Sequence, residues 1–386
     1  ALGGAVSTLM STYLPEVIKD VQAVTDISAQ PRISGFINAV FIFGWAFGGF
    51  SWGIISDRIG RKKALLSAIT WYGLFTLLTA FMQNWWGIVI CRFMSGFGVG
   101  GVLVISLTML SEVWPGKNKS VVIGILSIAF PVGIFSAGLI TYNIDHWRTA
   151  FMVTGAIPLI MALASAWLIR ESGMWLQNKA TMQHEKAPLI FSTEHKQELI
   201  VGSLTFGSML IGLWAIFSWL PTWVQSLIAE GDAQKERGLS MMLLGMGGLA
   251  GGFFSGWFLN AIGLRRSMLL CFSVCAVLSF ILFKTNHTFS PLIYAEIAVM
   301  AWFFGISQGV LSFYIPQLFS TGIRSSATGF CFNIGRLFTG TAVLFVGILV
   351  TALGGYGNAI YVFSLVFIVG LAVVFFTKNI EKQTLK

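Results

Sequence analysis

The chain has 386 residues, 56% of them hydrophobic and 10% charged, where soluble domains carry roughly 25% charged residues. That composition argues against a soluble enzyme or nucleic-acid-binding domain, because the net charge of +9 is scattered over short loops rather than gathered on one face. Cys91, Cys271, Cys275 and Cys331 lie inside apolar runs with neither a paired framework nor metal-ligand spacing, and read as packing residues.

Apolar runs bounded by charged or Pro/Gly turns fall at 1–18, 33–55, 64–83, 86–111, 120–142, 148–169, 198–224, 239–259, 267–284, 289–315, 326–352 and 357–377. Each is close to the roughly 20 residues that cross a bilayer, which predicts an all-α polytopic membrane protein with twelve spans. The first run turns polar by Glu16, so its helix is expected to begin before Ala1. The longest polar interval, 171–196, divides the chain into a first set of six spans over 1–170 and a second over 197–386. Alternate loops differ in charge. The side holding Asp57 carries sixteen lysines and arginines and the other side six: Lys19, Arg32, Arg148, Lys235, Arg237 and Lys284. Positive charge inside makes the Asp57 side, and both termini, cytoplasmic.

Between the second and third spans stands Gly53-Ile-Ile-Ser-Asp57-Arg58-Ile-Gly60-Arg61-Lys62-Lys63. Gly60 suits a tight reversal, since glycine takes positive φ without steric cost. Asp57 can pair with Arg58 or Arg61 or meet a helix dipole. The stretch reads as a charged latch beside the bilayer. An offset of 203 gives a weakened copy in Gly256, Asn260, Gly263, Arg265 and Arg266, and Lys119-Ser120 and Gly124 are echoed at an offset of 205 by Arg324-Ser325 and Gly329. The chain therefore reads as a parallel duplication, two pseudo-symmetric six-helix bundles.

A charge inside the bilayer costs several kcal/mol, so it marks a functional candidate. Three sit well inside spans: Arg92, Glu296 and Arg336. The repeat offset sets Glu296 opposite Arg92. Arginine offers a planar fork that matches a carboxylate, sulfonate or phosphate, which makes Arg336 a substrate-anion contact unless it pairs with Glu296. Glu296 is the visible proton carrier, because a substrate that competes for a nearby arginine favours protonation of the acid. Arg92 either serves coupling or braces helices by bonding carbonyls. Trp214, Trp219, Trp223, Trp302, Tyr314 and Tyr13 could shape the pocket, with Gln308, Asn333 and Ser312 adding hydrogen bonds. Trp214 and Gln308, being deep, are better candidates than Trp223. His146, His184, His195 and His287 all fall in loops or at span ends, which leaves no buried histidine as base or metal ligand.

The order of Gly, Asp, Arg, Gly and Arg over 53–61 resembles the signature loop between helices two and three of the major facilitator superfamily. Arg92-Phe-Met-Ser-Gly96-Phe-Gly98-Val-Gly100 resembles its fourth helix, an arginine followed by glycines that is linked with coupling. Ser111-Glu112-Val-Trp-Pro115, Arg170-Glu171-Ser172-Gly173-Met174-Trp175-Leu176 and Gly329-Phe-Cys-Phe-Asn333-Ile-Gly335-Arg336 are similar to the branch of metabolite:proton and aromatic-acid symporters and synaptic-vesicle-type proteins. The resemblance covers nearly the whole chain. Two prolines and an arginine of the expected Pro-Glu-Ser-Pro-Arg stretch are missing, which puts docking of that segment in doubt. Phe130 replaces the glycine that precedes the proline of the antiporter motif, which weighs against drug/proton antiport.

The resemblance implies a transporter working by alternating access, without a cofactor, on a small organic solute and protons, as a lipid-embedded monomer. The arginines favour an anionic solute, and fourteen tryptophans tilt the reading toward a ring-bearing one. Proton-coupled symport is expected. Efflux antiport, sugar or organic-ion uniport and a non-transporting sensor remain open. Compact loops point to a prokaryotic inner membrane.

Overall fold

The computed structural model describes residues 1–21, 30–113, 119–178, 195–228, 233–319 and 324–377, and among these all regular structure is helical. The helices are α1 (Leu2–Val21), α2 (Gln30–Ile59), α3 (Arg61–Thr79), α4 (Trp85–Val113), α5 (Lys119–Asn143), α6 (Trp147–Leu168), a short α7 (Gly173–Asn178), α8 (Lys196–Ser226), α9 (Gln234–Ile262), α10 (Leu264–Phe280), α11 (Leu292–Gln317), α12 (Arg324–Leu349), α13 (Tyr356–Ser364) and α14 (Val366–Phe376). A π-turn over Ile281–Thr285 extends α10. α13 and α14 form the twelfth span, broken at Leu365, whose N–H still donates to the Tyr361 carbonyl at 3.2 Å.

These segments are helices because lipid offers the backbone no hydrogen bonds, so each span must satisfy its own. Most are apolar on every face rather than along one stripe, the pattern of membrane spans. Nine helices among the described residues are long and apolar enough to cross a membrane. Large apolar side chains such as Leu163, Trp167, Phe253 and Trp257 stand exposed on the outside, a surface suited to lipid. The four cysteines are free and buried, as their positions predict.

The packing repeats. α1 packs on α5, α2 on α4 and α3 on α6; in the second bundle α8 packs on α12, α9 on α11 and α10 on α14. Across the bundles, α2 meets α12 and α5 meets α9. The two reversals correspond as well: Gly60 (φ 103°) precedes α3 and Gly263 (φ 84°) precedes α10. Close backbone contacts fix the register. Gly44 and Gly48 of α2 sit against the Phe93 and Phe97 carbonyls of α4, and Gly247 and Gly251 of α9 against the Ala298 and Trp302 carbonyls of α11. The glycines are offset by 203 and their partners by 205, so the counterpart of Arg92 is Ile297.

That register corrects the expected equivalence of Arg92 and Glu296 in the two halves. One residue along a helix is a rotation of about 100°, which carries Glu296 off the buried face. Ile297 is 1% exposed, like Arg92, whereas Glu296 is half-buried. A second correction concerns α9, which starts at Gln234 rather than near 239. Arg237, expected in a loop, is thereby a helical residue with 1% exposure.

Candidate functional site

The latch residues form one network at the end of α2. Arg61 pairs with Asp57, donates from Nη2 to Glu112 at the end of α4 at 3.0 Å, and donates from Nη1 to Ser56 Oγ at 3.0 Å. Arg58 is exposed on the helix end, so Asp57 selects Arg61, one helical turn on. Glu171 accepts from the Arg61 and Lys62 N–H groups at 2.9 and 3.0 Å and so satisfies orphan donors at the start of α3. Trp175 of α7 donates to the Asp57 carbonyl at 3.0 Å. The segment after α6 thus docks despite the missing prolines. The copy at 256–266 has no acid, and Arg265 donates instead to the Val374 and Phe375 carbonyls at the end of α14.

Four helices meet midway through the molecule, two from each bundle. Trp45 of α2, Phe130 of α5 and Trp214 of α8 form a triangle of rings with centroids 5.6 to 6.3 Å apart. Arg336 of α12 places its guanidinium carbon 5.3 Å from the Trp45 ring centroid. Its Nη1 donates to Asn333 Oδ1 at 3.1 Å, and Asn333 lies against Gly49 of α2, where a Cβ would come within 2.9 Å of that oxygen. All four residues sit near the middle of their helices. Trp45 and Trp214 are buried, while Phe130 and Arg336 are half-buried. Among the described residues no carboxylate pairs with Arg336. The array joins an unbalanced planar cation to aromatic faces, the pieces that a ring-bearing anion needs.

The other expected site residues lie elsewhere. Glu296 accepts from Asn286 at 2.7 Å, beside the turn between α10 and α11, so the alternative, a pair with Arg336, is not formed. Arg92 donates to the Val6 and Ser7 carbonyls of α1 at 2.9 and 3.3 Å and stacks 4.0 Å over Phe41, which is the bracing arrangement. Tyr13 donates to the Ile144 carbonyl at 2.6 Å and ties α1 to the end of α5. Tyr314 is buried with its hydroxyl beside Thr205. Among the described residues the buried Gln308 amide nitrogen has no hydrogen-bond partner; it lies one turn from Phe304, whose ring packs on Phe217 and through it on Trp214. Trp219 donates to the Val343 carbonyl, Trp223 packs on Phe283, Trp302 is 36% exposed, and the Ser312 hydroxyl turns back to the Gln308 carbonyl.

Three residues were missed. Trp45 carries no signal in the sequence beyond its residue type. Glu16 and Arg237 each lie near a span end, where a charge is ordinary. In the structure Arg237 pairs with Glu16 of α1 and donates to Gln225 of α8. Nearby, Gln234 donates to the Thr141 and Ile144 carbonyls of α5, each at 2.7 Å. These bonds close the side opposite the latch. On the latch side, a Cβ at Gly53, Gly252, Gly256 or Gly329 would meet none of the described residues within 4 Å.

Comparison with known proteins agrees with this architecture. The chain is 28% identical over 353 residues to a probable 4-methylmuconolactone transporter of Cupriavidus pinatubonensis, covering 86% of this chain and 78% of that one. It is 26% identical to the cis,cis-muconate transport protein of Acinetobacter baylyi, over 94% of this chain and 89% of that one. The fold matches a crystal structure of a D-xylose-proton symporter with a TM-score of 0.81 at 17% identity, over 99% and 96% of the two chains. It also matches the inward-open xylose transporter XylE from E. coli with a TM-score of 0.78 at 17% identity, over 100% and 96%. The family model of the Major Facilitator Superfamily matches residues 1–337. The chain therefore belongs to the Major Facilitator Superfamily, as a multi-pass membrane transporter and not an enzyme.

Proposed function

We propose that the protein carries a small ring-bearing organic anion across the membrane by alternating access, in symport with protons. The observation that carries this reading is Arg336, a half-buried guanidinium in the seam between the bundles, over Trp45 and without an acid partner among the described residues. A buried charge left unbalanced is costly, and an anionic substrate supplies the balance. Asn333 orients the fork, and Trp45, Trp214 and Phe130 offer faces to a ring. Relatives named for gallate and for 3-(3-hydroxy-phenyl)propionate support a ring-bearing anion, and the one named for cis,cis-muconate, an open-chain dicarboxylate, supports an organic anion without bearing on the ring.

The bundles, residues 1–170 and 197–386, rock about this site, and 171–196 joins them. With the latch side taken as cytoplasmic on its excess of basic residues, the arrangement is open toward the cytoplasm of a prokaryotic cell. Both halves of the site lie in one chain, so a monomer suffices. Glu16 replaces Glu296 as the proton-carrying candidate, since its ion pair with Arg237 spans the bundles and must break when the far side opens.

The test is thermal stabilisation and vesicle uptake with benzoate, muconate, a benzenesulfonate, xylose and an organic cation at pH 6 and 8. A ligand that binds only the folded state stabilises it, by about 2.7 kcal/mol at a hundredfold excess over its Kd. Stabilisation by the ring-bearing anions, lost in both Arg336→Ala and Arg336→Lys, is expected; lysine lacks the planar fork. Uphill uptake that needs an inward proton gradient supports symport. Uptake confined to xylose or the cation overturns the substrate class, and accumulation that ignores pH overturns the coupling.

A further inference from the structure

We infer that Phe130 sets the size of the ring this transporter accepts. The inference rests on the reading of the Arg336 site as an anion site and adds the residue that discriminates among anions. Phe130 completes the aromatic triangle, 5.7 Å from Trp45 and 6.3 Å from Trp214, ring centroid to ring centroid. The two tryptophans are themselves 5.6 Å apart and nearly perpendicular, at 88°. Rings this close leave no slot among them, so a guest ring lies against the cluster, on the side where Phe130 and Arg336 are half-buried. Trp45 and Trp214 are 7% and 5% exposed and form the floor. Phe130 is the wall.

The wall cannot readily retreat. Its backbone is held by contact with α1, because a Cβ at Gly4 would come within 2.5 Å of the Phe130 carbonyl oxygen and 3.2 Å of the Gly133 Cα. α1 is in turn tied to α5 by the Thr12–Thr141 bond at 2.7 Å and the Tyr13 bond to Ile144. The residue after Phe130 is Pro131, which fixes a further stretch of that backbone. Phe130 also enters the seam at the depth of Arg336: on the offset of 205 that relates the starts of α5 and α12, Pro131 answers to Arg336. Trp45 stands next to both, 5.3 Å from the Arg336 guanidinium carbon and 5.7 Å from the Phe130 ring, so a ring whose carboxylate sits on the guanidinium and whose face lies on Trp45 meets Phe130 as its neighbour. Truncating Phe130 empties one ring of volume beside both tryptophans, enough for a second fused ring.

The experiment measures kcat/KM for benzoate and 2-naphthoate in vesicles containing the full chain, for the unaltered protein, Phe130→Ala and Phe130→Leu, with thermal unfolding as the check on folding. Pocket walls discriminate by about tenfold to a hundredfold. The unaltered protein is expected to prefer benzoate, and Phe130→Ala to shift the ratio at least about tenfold toward 2-naphthoate. Phe130→Leu, which keeps most of the volume, should fall between them and covers the case in which alanine unfolds the protein. If the unaltered protein carries neither acid, the reading of the site itself fails. If it selects benzoate and the folded variants keep the same ratio, the site stands and the role of Phe130 is overturned.

Discussion

Arg237 of α9 pairs with Glu16 of α1, an ion pair between the bundles on the side opposite the latch, with side-chain exposures of 1% and 20%. Gln225 holds the same guanidinium from α8. Removing one partner of a buried pair leaves an uncompensated charge and costs about 3–5 kcal/mol. That penalty falls on the conformation in which this side is closed. Glu16→Gln keeps a hydrogen-bonding oxygen but loses the charge, and is expected to populate the conformation open on this side. A cysteine placed at Ser11, which is buried at 2%, should then react several-fold faster with a membrane-impermeant thiol reagent added from that side. An unchanged rate would show that the pair does not hold the gate.

Gly60 and Gly53 make opposite predictions within one motif. Gly60 has φ 103° and ψ 156°, a region nearly closed to side chains, and a Cβ there would strike Glu171. Gly60→Ala should lower stability by about 1–3 kcal/mol and loosen the segment that Glu171 anchors. Gly53 lies inside α2, six residues before its end at Ile59, where a Cβ would meet no described atom within 4 Å. Gly53→Ala should therefore leave thermal stability unchanged, or raise it by up to about 1 kcal/mol, yet slow transport if the latch side closes onto this position. Equal unfolding temperatures for the two variants would contradict the contrast.

Tyr13→Phe separates a brace from a substrate contact. The hydroxyl donates to the Ile144 carbonyl, and losing one such bond costs about 1 kcal/mol. The expected result is a small drop in unfolding temperature with no change in KM for the transported anion. A raised KM at unchanged stability would return Tyr13 to the substrate site.

Glu296→Gln should retain proton-driven accumulation. Its carboxylate accepts from Asn286 away from Arg336, and glutamine can make the same bond. Uptake at two pH values distinguishes the cases: loss of the uphill component, with exchange spared, would restore Glu296 as the proton carrier.

The twelve spans, the duplication and the identity of the latch are legible in the order of residues alone. Those follow from local facts: a stretch without charges must be a helix in lipid, and Gly60 marks a reversal wherever it lies. Arg336 stands out there too, since an arginine amid apolar residues is anomalous before any neighbour is known. Which residues become partners depends on how the helices pack. Glu296 and Arg92 looked equivalent by counting, but glycine contacts between helices set a register one residue different, and one residue turns a side chain by about 100°. Trp45 joined Arg336, and Glu16 joined Arg237, because α2 meets α12 and α1 reaches toward α9 across the seam between the bundles. Each such pair is far apart in the chain, and charge at a span end reads the same whether it faces water or a buried partner.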